Sequence, residues 1–296
     1  MNGDVAFIGF GEAAQAFAEA RSTDGDAPRA YDIKTDDEAT RDAKRADYAR
    51  SGVRGCDIPG EALAGASAVL SLVTADQALP AARRCAGLLD ADALWLDMNS
   101  VAPDTKRAAA AMVEETGGRY LDVAVMAPVH PARCAVPLLL SGPAASAGAE
   151  MLAAIGFSNI RVVGDRIGMA SAIKMIRSVM VKGLEALTTE CVLAADAAGV
   201  RNEVLASLDA SWPGADWTAK ADYNLDRMMV HGLRRAAEME EAIKTLDALG
   251  TGSACTRATV ERQHAIGQLH IAPPDGLDAK LSTLAPFVTM PRDCAA

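Results

Sequence analysis

Short apolar runs alternate with alanine-rich segments over the first half of the chain. The runs have the length of buried strands. The predicted strands are 5–10, 28–33, 68–74, 94–99, 119–126, 136–142 and 159–164. Alternation of such strands with helical patterns predicts βαβ units around a parallel sheet.

The pattern changes after about residue 165. From 167 to 248 nearly every segment fits a helical period, with breaks at 199–202 and 211–217. We therefore predict two domains, an α/β domain over 1–165 and a helical domain over 166–296. The boundary between them runs into a long helix rather than a flexible linker.

Composition narrows the class of protein. Half of the residues are apolar, 23% are charged and the formal net charge is −10. This balance is typical of a soluble globular protein, and it argues against nucleic acid or an anionic membrane as the main partner.

The apolar runs are too short to span a bilayer. The N-terminal residues lack the pattern of a signal peptide.

The cysteine and histidine residues do not form a metal-binding pattern. The six cysteines are scattered without a CxxC pair, and His264 and His270 lack acidic neighbours at ligand spacing. We expect reduced thiols, no metal and a cytoplasmic protein.

A glycine motif follows the first predicted strand. It reads G-x-G-x-x-A and consists of Gly9, Phe10, Gly11, Glu12, Ala13 and Ala14. In such a motif the first glycine permits a tight turn, the second lets the backbone approach a pyrophosphate, and the small third residue lets the helix pack closely. The helix N-terminus supplies N–H groups to the phosphates. The motif predicts dinucleotide binding, and an ordinary structural turn is the alternative.

Asp32 ends the next predicted strand, about 20 residues downstream. A carboxylate at this position can accept hydrogen bonds from the adenosine ribose hydroxyls and would repel a 2′-phosphate, which favours NAD over NADP. Lys34 could offset that charge, so NADP remains possible. Alternatively, Asp32 simply begins the turn that follows.

Further polar residues end two later strands. Val73 and Thr74 follow one strand, and Asn99 and Ser100 follow another. Ligands of doubly wound sheets bind at the carboxyl edge of the strands, so we expect these residues to contact the cofactor. An Asx turn and a helix cap formed by Asn99 and Ser100 are the alternative.

Three further motifs follow the glycine motif in a familiar order. They are D-M-N-S-V-A-P at 97–103, D-V-A-V-M-A-P at 122–128 and G-M-A-S-A-I-K at 168–174. Together they resemble the β-hydroxyacid dehydrogenases, which include 3-hydroxyisobutyrate dehydrogenase and are related to phosphogluconate dehydrogenase. The resemblance implies an N-terminal Rossmann domain with a doubly wound, mostly parallel sheet and an all-α C-terminal domain joined by a long helix. It also implies a homodimer or higher homo-oligomer, active sites in the interdomain cleft, and a catalytic role for Lys174.

The chain departs from the family at the substrate side. Met126, Ala127 and Pro128 stand where the family carries the Ser-Gly-Gly that holds the substrate carboxylate. Ser178 replaces the family's asparagine, and the lysine-aspartate pair of a later helix is missing. We assign 126–128 to substrate binding in a divergent branch with its own C-terminal domain.

Lys174 has a chemical role independent of the resemblance. Oxidation of an alcohol needs a general base for the hydroxyl proton as hydride leaves for the nicotinamide. Burial and a nearby positive nicotinamide lower the pKa of a lysine, so it can exchange protons near neutral pH. The alternative is an amphipathic helix whose lysine reaches water.

Candidate substrate contacts lie on two helical segments. Ser171 and Ser178 share a helical face with Lys174, and Arg177 lies one turn beyond the lysine. On a later segment His231, Arg234 and Arg235 could bind an acidic substrate. For these arginines the alternative is a solvated face that pairs with Glu238 and Glu241.

The sequence thus predicts an NAD(P)-dependent dehydrogenase that acts on a small acidic molecule, a hydroxy acid or its carbonyl counterpart. Two alternatives stay open. One is a decarboxylating enzyme like phosphogluconate dehydrogenase. The other is a cofactor-binding sensor or partner-binding dimer with reduced catalysis, which the missing Ser-Gly-Gly suggests.

Overall fold

The computed structural model describes residues 4–21 and 26–288. Within it the chain divides into two compact units, 1–175 and 176–296. Among the described residues, all strands belong to the first unit, and every element that follows residue 164 is a helix.

The first unit is built on one eight-stranded sheet with the order β3-β2-β1-β4-β5-β6-β7-β8. The strands β1 to β6 are mutually parallel, β7 runs antiparallel to β6, and β8 is parallel to β7. The strands are Asp4–Ile8 (β1), Arg29–Tyr31 (β2), Arg54–Gly55 (β3), Ala66–Ser71 (β4), Leu94–Asp97 (β5), Arg119–Val125 (β6), Leu138–Ser141 (β7) and Ile160–Gly164 (β8). The first six strands have the order of a Rossmann sheet, as predicted.

Helices connect the strands of this sheet. They are Glu12–Ala20 (α1), Glu38–Arg50 (α2), Pro59–Leu63 (α3), Ala78–Cys85 (α4), Pro103–Glu115 (α5) and Ala145–Ile155 (α6). Neighbouring residues of a strand point into different apolar clusters. Phe7 of β1 and Leu70 of β4 belong to one cluster, and the preceding residues Ala6 and Val69 belong to the other. Because both faces of the sheet are buried, its strands read as continuous apolar runs.

The helices of the second unit share one apolar core. They are Met169–Ala197 (α7), which begins in the first unit, and Arg201–Ser211 (α8), Trp217–Leu249 (α9), Ala254–Gly267 (α10) and Leu277–Val288 (α11). Leu193, Leu205, Met228, Ile266 and Leu281 contribute one residue from each helix to this core. The predicted breaks at 199–202 and 211–217 fall at the ends of α7, α8 and α9.

Two glycines let α9 and α10 approach closely. A Cβ at Gly232 would lie 2.5 Å from the carbonyl oxygen of Gln263, and one at Gly267 would lie 2.5 Å from the amide nitrogen of Leu233. Backbone contact at this distance excludes any side chain at either position.

The long helix α7 presents two different sides. One side is buried or half-buried and includes five polar residues, Ser171, Lys174, Ser178, Lys182 and Glu185. On the other side the residues are apolar and exposed; they are Ile173, Ile176, Met180, Leu184 and Leu187. Between residues 171 and 187 the helix thus buries polar side chains beside Met175 and Ala186 and leaves a stripe of apolar side chains exposed.

The seven predicted strands are all present, each ending within three residues of the predicted position. The short strand β3 was not predicted, because Arg54 and Gly55 are both exposed and contain no apolar signal. The reversed direction of β7 was not predicted either. The signal for it is that the connection from β6 to β7 contains only a 3₁₀ turn, Arg133–Ala135, and no crossover helix of the kind that parallel strands need.

Candidate functional site

The glycine motif forms a tight loop between β1 and α1. Gly9 has φ +83°, and a Cβ there would lie 2.5 Å from the Leu72 carbonyl oxygen. Gly11 directly precedes α1 and makes no side-chain cap, and a Cβ there would meet nothing within 4 Å. Gly9 is therefore required by the fold, whereas Gly11 leaves open space at a helix N-terminus, as a bound pyrophosphate requires.

The other members of the motif fit this geometry. Ala14 is fully buried against the sheet, while Glu12 is exposed and Ala13 half-buried. Phe10 is fully buried, and its carbonyl oxygen accepts a 2.7 Å hydrogen bond from Lys44 Nζ. The loop is thus held from α2 as well as from the sheet.

Asp32 lies beside the glycine loop. Its Oδ2 accepts a 2.7 Å hydrogen bond from the Phe10 amide, and its Oδ1 accepts one of 2.9 Å from the Lys34 amide. Asp32 therefore begins the turn that follows β2 and fixes the glycine loop. Each carboxylate oxygen has a second acceptor direction, so these bonds leave capacity for a ribose hydroxyl.

Asn99 joins the ends of β4 and β5. Its Oδ1 accepts a 2.7 Å hydrogen bond from the Val73 amide, and its Nδ2 donates one of 3.0 Å to Ser71 Oγ. The side chain is 5% exposed. Asn99 therefore bridges the loops that follow β4 and β5, and α5 begins after Ala102 with Pro103 in its first turn. Val73 is half-buried and Thr74 is exposed beside this bridge.

Lys174 reaches the same edge of the sheet from α7. Its Nζ donates a hydrogen bond to Ser100 Oγ, and both residues are half-buried. The contact places an amine next to a hydroxyl at the carboxyl end of β5. That is the edge where the doubly wound fold binds its ligands.

The start of α7 is anchored by Asp122 of β6. Its Oδ2 accepts hydrogen bonds of 3.1 Å from the Gly168 amide and 3.0 Å from both the amide and the hydroxyl of Ser171. Ser141 Oγ donates to the same oxygen at 3.2 Å. A carboxylate thus satisfies the N-terminal amides of α7, where the helix dipole favours negative charge.

Lys106 lies between this aspartate and Asp97. The Lys106 amine donates hydrogen bonds of 2.9 Å to Asp97 Oδ1 and 2.6 Å to the Asp97 carbonyl oxygen, and it lies 3.5 Å from Asp122 Oδ1. All three side chains are at most 1% exposed. Burial and the neighbouring Asp97 hold the pKa of Tyr120 well above its usual value, and its hydroxyl donates to Asp97 Oδ2 at 2.6 Å.

Sequence reasoning missed this buried cluster, since each residue reads as a strand end or a helical surface position. One signal was available. Lys106 is a charged residue in the alanine-rich stretch that precedes β6, at a helical spacing that also contains Pro103, Ala109, Ala110 and Val113, all of which are buried.

The segment 126–128 provides little side-chain chemistry. Met126 is half-buried and donates its amide to the Pro137 carbonyl oxygen at 2.9 Å, while Ala127 and Pro128 are exposed. The segment thus presents apolar groups and backbone, without a side-chain hydroxyl.

The candidate arginines of α9 differ in their surroundings. Arg235 is buried, and its guanidinium binds the Glu185 carboxylate of α7. The same carboxylate accepts a 2.9 Å hydrogen bond from Gln263 Nε2. Arg234 is exposed, and its Nε lies 4.0 Å from Glu238 Oε1. The other carboxylate oxygen of Glu238 lies 2.7 Å from Lys182 Nζ. The alternative pairing of Arg234 with Glu238 is therefore present, whereas Arg235 pairs with a different helix.

The other predicted substrate residues of α7 and α9 differ in burial. His231 is half-buried, Arg177 is exposed and Ser178 is buried.

Within the described residues, no helix is long and apolar enough to cross a membrane. In the same residues, no group of three or more His, Cys, Asp or Glu side chains is arranged to hold a metal ion.

The sheet order, the glycine loop and the polar strand ends define the class of protein: a dinucleotide-binding protein with a Rossmann domain. Residues 4–164 match the family described as the NAD binding domain of 6-phosphogluconate dehydrogenase, and residues 195–266 match a domain of unknown function, DUF1932. The chain belongs to the β-hydroxyacid dehydrogenase superfamily, in a branch with a divergent C-terminal domain. The predicted family and fold class are confirmed.

Similar proteins agree with this assignment. A conserved hypothetical protein from Sinorhizobium meliloti 1021 is 39% identical, covers 97% of both chains and superposes with a TM-score of 0.77. A 3-hydroxyisobutyrate dehydrogenase from Mycobacterium tuberculosis, studied with L-serine, is 18% identical over 96% of this chain and 99% of its own, with a TM-score of 0.74. An uncharacterized 28.5 kDa protein from Methanothermus fervidus is 27% identical over 60% of this chain, and the match spans 66% of that protein. The chain therefore has an NAD(P)-binding fold of the 3-hydroxyacid dehydrogenase type.

Proposed function

We propose that the protein is an NAD(P)-dependent dehydrogenase that interconverts a hydroxy acid and its carbonyl counterpart, with Lys174 as the general acid and base. The hydrogen bond from Lys174 Nζ to Ser100 Oγ carries this proposal, because it holds an amine at the ligand-binding edge of a dinucleotide fold. The family match and the oxidoreductases among the structural neighbours support the reaction class.

The residues present fit a dinucleotide. Gly11 leaves space for phosphates at the start of α1, and Asp32 retains acceptor capacity for a ribose hydroxyl. Asn99 orders the loop from which Val73 and Thr74 border the same edge. When bound, the nicotinamide supplies the hydride acceptor at its C4 atom.

In the oxidation direction the neutral Lys174 amine accepts the substrate hydroxyl proton while the carbon-bound hydrogen leaves as hydride. The C–O single bond becomes a carbonyl, and Lys174 becomes an ammonium. In the reduction direction the ammonium returns its proton to the forming alkoxide. Ser100 Oγ accepts an N–H from the amine, which orients the nitrogen lone pair.

For the cofactor we propose NAD in preference to NADP. The Asp32 carboxylate is held by two backbone amides at the end of β2, and a 2′-phosphate beside it would be repelled. Lys34 is exposed two residues further on and leaves NADP as a measurable second possibility.

For the acidic group of the substrate we propose Arg177. It lies one helical turn beyond Lys174, and its side chain is exposed, whereas the buried guanidinium of Arg235 is already neutralised by Glu185. A guanidinium one turn from the proton-transfer group could pair with the substrate carboxylate.

We also propose that the protein forms a homodimer through the apolar side of α7. Met180 and Leu187 are 64% and 65% exposed, and Ile176 and Leu184 extend the same side. Contiguous exposed apolar side chains of this kind are typical of an interaction surface. A second copy supplies the same stripe, so helix-to-helix contact about a twofold axis would bury both. Sedimentation of wild type against Met180→Glu tests this, and an unchanged mass would refute it.

The deciding experiment combines binding and turnover. NAD and NADP are titrated into wild type, Lys174→Ala and the surface control Lys220→Ala, and each protein is assayed for NADH or NADPH production over a panel of hydroxy acids. Cofactor binding in all three with turnover absent only from Lys174→Ala supports the proposal. Cofactor binding without turnover in wild type would favour the sensor alternative, which the missing hydroxyl at 126–128 suggests. Absence of dinucleotide binding would refute both.

A further inference from the structure

The buried cluster of Asp97, Lys106 and Asp122 is not needed for the proton transfer itself. Its three charged side chains are completely enclosed in the first unit. Enclosing charges costs free energy that an apolar cluster of the same volume would not. The cluster therefore calls for a role beyond stability, and its contacts indicate one.

One end of the cluster holds the Ser100 loop. Asp97 Oδ1 accepts a 3.0 Å hydrogen bond from the Asn99 amide, one residue before Ser100, and the same oxygen accepts from Lys106 at 2.9 Å. Asn99 is in turn fixed to β4 through its side chain. The position of Ser100 thus depends on Asp97.

The other end holds the helix that carries Lys174. Asp122 Oδ2 accepts hydrogen bonds from the Gly168 amide and from the amide and the hydroxyl of Ser171. Ser171 lies one helical turn before Lys174. Ser141 Oγ adds a 2.9 Å hydrogen bond from the Ala170 amide. A shift of this anchor would displace the whole first turn of α7 and with it the Lys174 amine.

Lys106 connects the two ends. It is bonded to Asp97, and it lies 3.5 Å from Asp122 Oδ1, which makes no hydrogen bond with any residue that the structure describes. The Ser100 loop and the start of α7 are therefore linked in two ways. One link runs from Asn99, beside Ser100, through Asp97, Lys106 and Asp122 to Ser171, one turn before Lys174. The Lys174 to Ser100 hydrogen bond is the other, and together the two links form a closed circuit.

We propose that Lys106 and Asp122 are positioning residues that set the distance between the Lys174 amine and the Ser100 hydroxyl. This inference rests on the proposed function for its catalytic meaning, although the geometric link stands without it. A displacement of about 1 Å between reacting groups can reduce a rate about 100-fold. We therefore expect Lys106→Met to lower kcat by roughly that factor with little change in the KM for NAD.

The chain offers a matched control in the second unit. Lys280 is also a buried lysine between two aspartates, 2.8 Å from Asp222 and 3.5 Å from Asp226. Lys280→Met therefore removes a comparable charge without touching the circuit. Ser141→Ala is a milder test variant, since it weakens the anchor of α7 and leaves no buried charge without its partner.

The experiment uses two measurements on the full chain. The first is kcat, with the KM for NAD and the pH profile of kcat. The second needs no substrate: the pH dependence of Lys174 acetylation by acetic anhydride, followed by mass spectrometry with exposed Lys220 as the internal reference. We expect Lys106→Met, Lys106→Arg and Ser141→Ala to differ from wild type in Lys174 labelling, least in Lys106→Arg, and Lys280→Met to match wild type.

Unchanged Lys174 labelling in both Lys106→Met and Ser141→Ala would overturn the inference, whatever the turnover. If Lys106→Met does not fold, Lys106→Arg and Ser141→Ala together decide the question, and unchanged labelling in both overturns the inference. If wild type shows no turnover but the labelling differs as expected, the positioning role stands and the proposed dehydrogenase function fails. The two failures are thus distinguishable.

Discussion

Lys174 and Ser100 are 74 residues apart in the chain, and the amine of the first donates a hydrogen bond to the hydroxyl of the second. The contact joins the second turn of α7 to the loop after β5. It gives the lysine a defined orientation that neither segment could supply alone.

Removal of this hydroxyl should affect chemistry more than binding. We expect Ser100→Ala to lower kcat by about tenfold, because the amine loses the acceptor that orients it. Steady-state kinetics with varied NAD measures this, and Ser100→Thr, which keeps a hydroxyl, serves as the control. Equal losses in the alanine and threonine variants would show that shape, and not the hydrogen bond, matters.

The two glycines of the dinucleotide motif should respond differently to alanine. Gly9→Ala places a Cβ 2.5 Å from a backbone oxygen at positive φ, so we expect a loss of about 2–4 kcal/mol in unfolding free energy. Gly11→Ala meets no neighbouring atom and should leave stability nearly unchanged while weakening NAD binding. Urea denaturation and NAD titration of both variants separate the two effects, and a stable Gly9→Ala would contradict the close approach.

Asp32 combines a structural and a cofactor role in our proposal. Asp32→Ala should lower the affinity for NAD relative to NADP, since the repulsion of a 2′-phosphate is lost. It should also lower the melting temperature, because the Phe10 and Lys34 amides lose their acceptor. Titrations of both cofactors test the first effect; an unchanged NAD to NADP ratio beside a lowered melting temperature would leave Asp32 a purely structural residue.

The adjacent arginines of α9 provide a matched pair for stability. Arg235→Ala leaves the buried Glu185 carboxylate without its cation, which we expect to cost about 3–5 kcal/mol. Arg234→Ala removes an exposed guanidinium 4.0 Å from Glu238 and should cost less than about 1 kcal/mol. Chemical denaturation of the two variants gives the comparison, and similar losses would mean that the burial of Arg235 is energetically unimportant.

The thiols should differ in reactivity according to burial. Burial raises the pKa of Cys85 to about 12 and that of Cys134 to about 11, so neither forms appreciable thiolate at pH 8. Cys255 is exposed. We expect iodoacetamide at pH 8 to label Cys255 rapidly and to leave Cys85 and Cys134 unmodified until the protein unfolds, as mass spectrometry of native and denatured samples can check.

Apolar pattern was sufficient for the fold class. Buried parallel strands appear as continuous apolar runs, and the change to a helical period after residue 165 predicted the all-helical second part. The two-residue strand β3 was not predicted, because Arg54 and Gly55 are exposed and carry no apolar pattern. The antiparallel direction of β7 was not predicted from the runs alone, since it depends on the lack of a crossover helix after β6.

The candidate site was predicted only in part. The glycine motif and Lys174 have fixed spacings relative to one strand or one helix, so the sequence could indicate them. Lys106 could not be recognised in this way, since its two carboxylate partners lie on separate strands. Arg234 and Arg235 are neighbours in sequence, and only the packing of α7 against α9 decides that one guanidinium is buried against Glu185 and the other is exposed.

The sequence by itself determined seven of the strands, the helical second part, the glycine loop and the position of a lysine at the start of a long helix, because these depend on local spacing and on apolar periodicity. The tertiary structure alone decided the partners of the charged groups: Ser100 for Lys174, Asp97 and Asp122 for Lys106, Glu185 for Arg235. The physical reason is that hydrogen bonds and ion pairs act over a few ångströms in space, whereas these residues come together only when distant strands and helices pack.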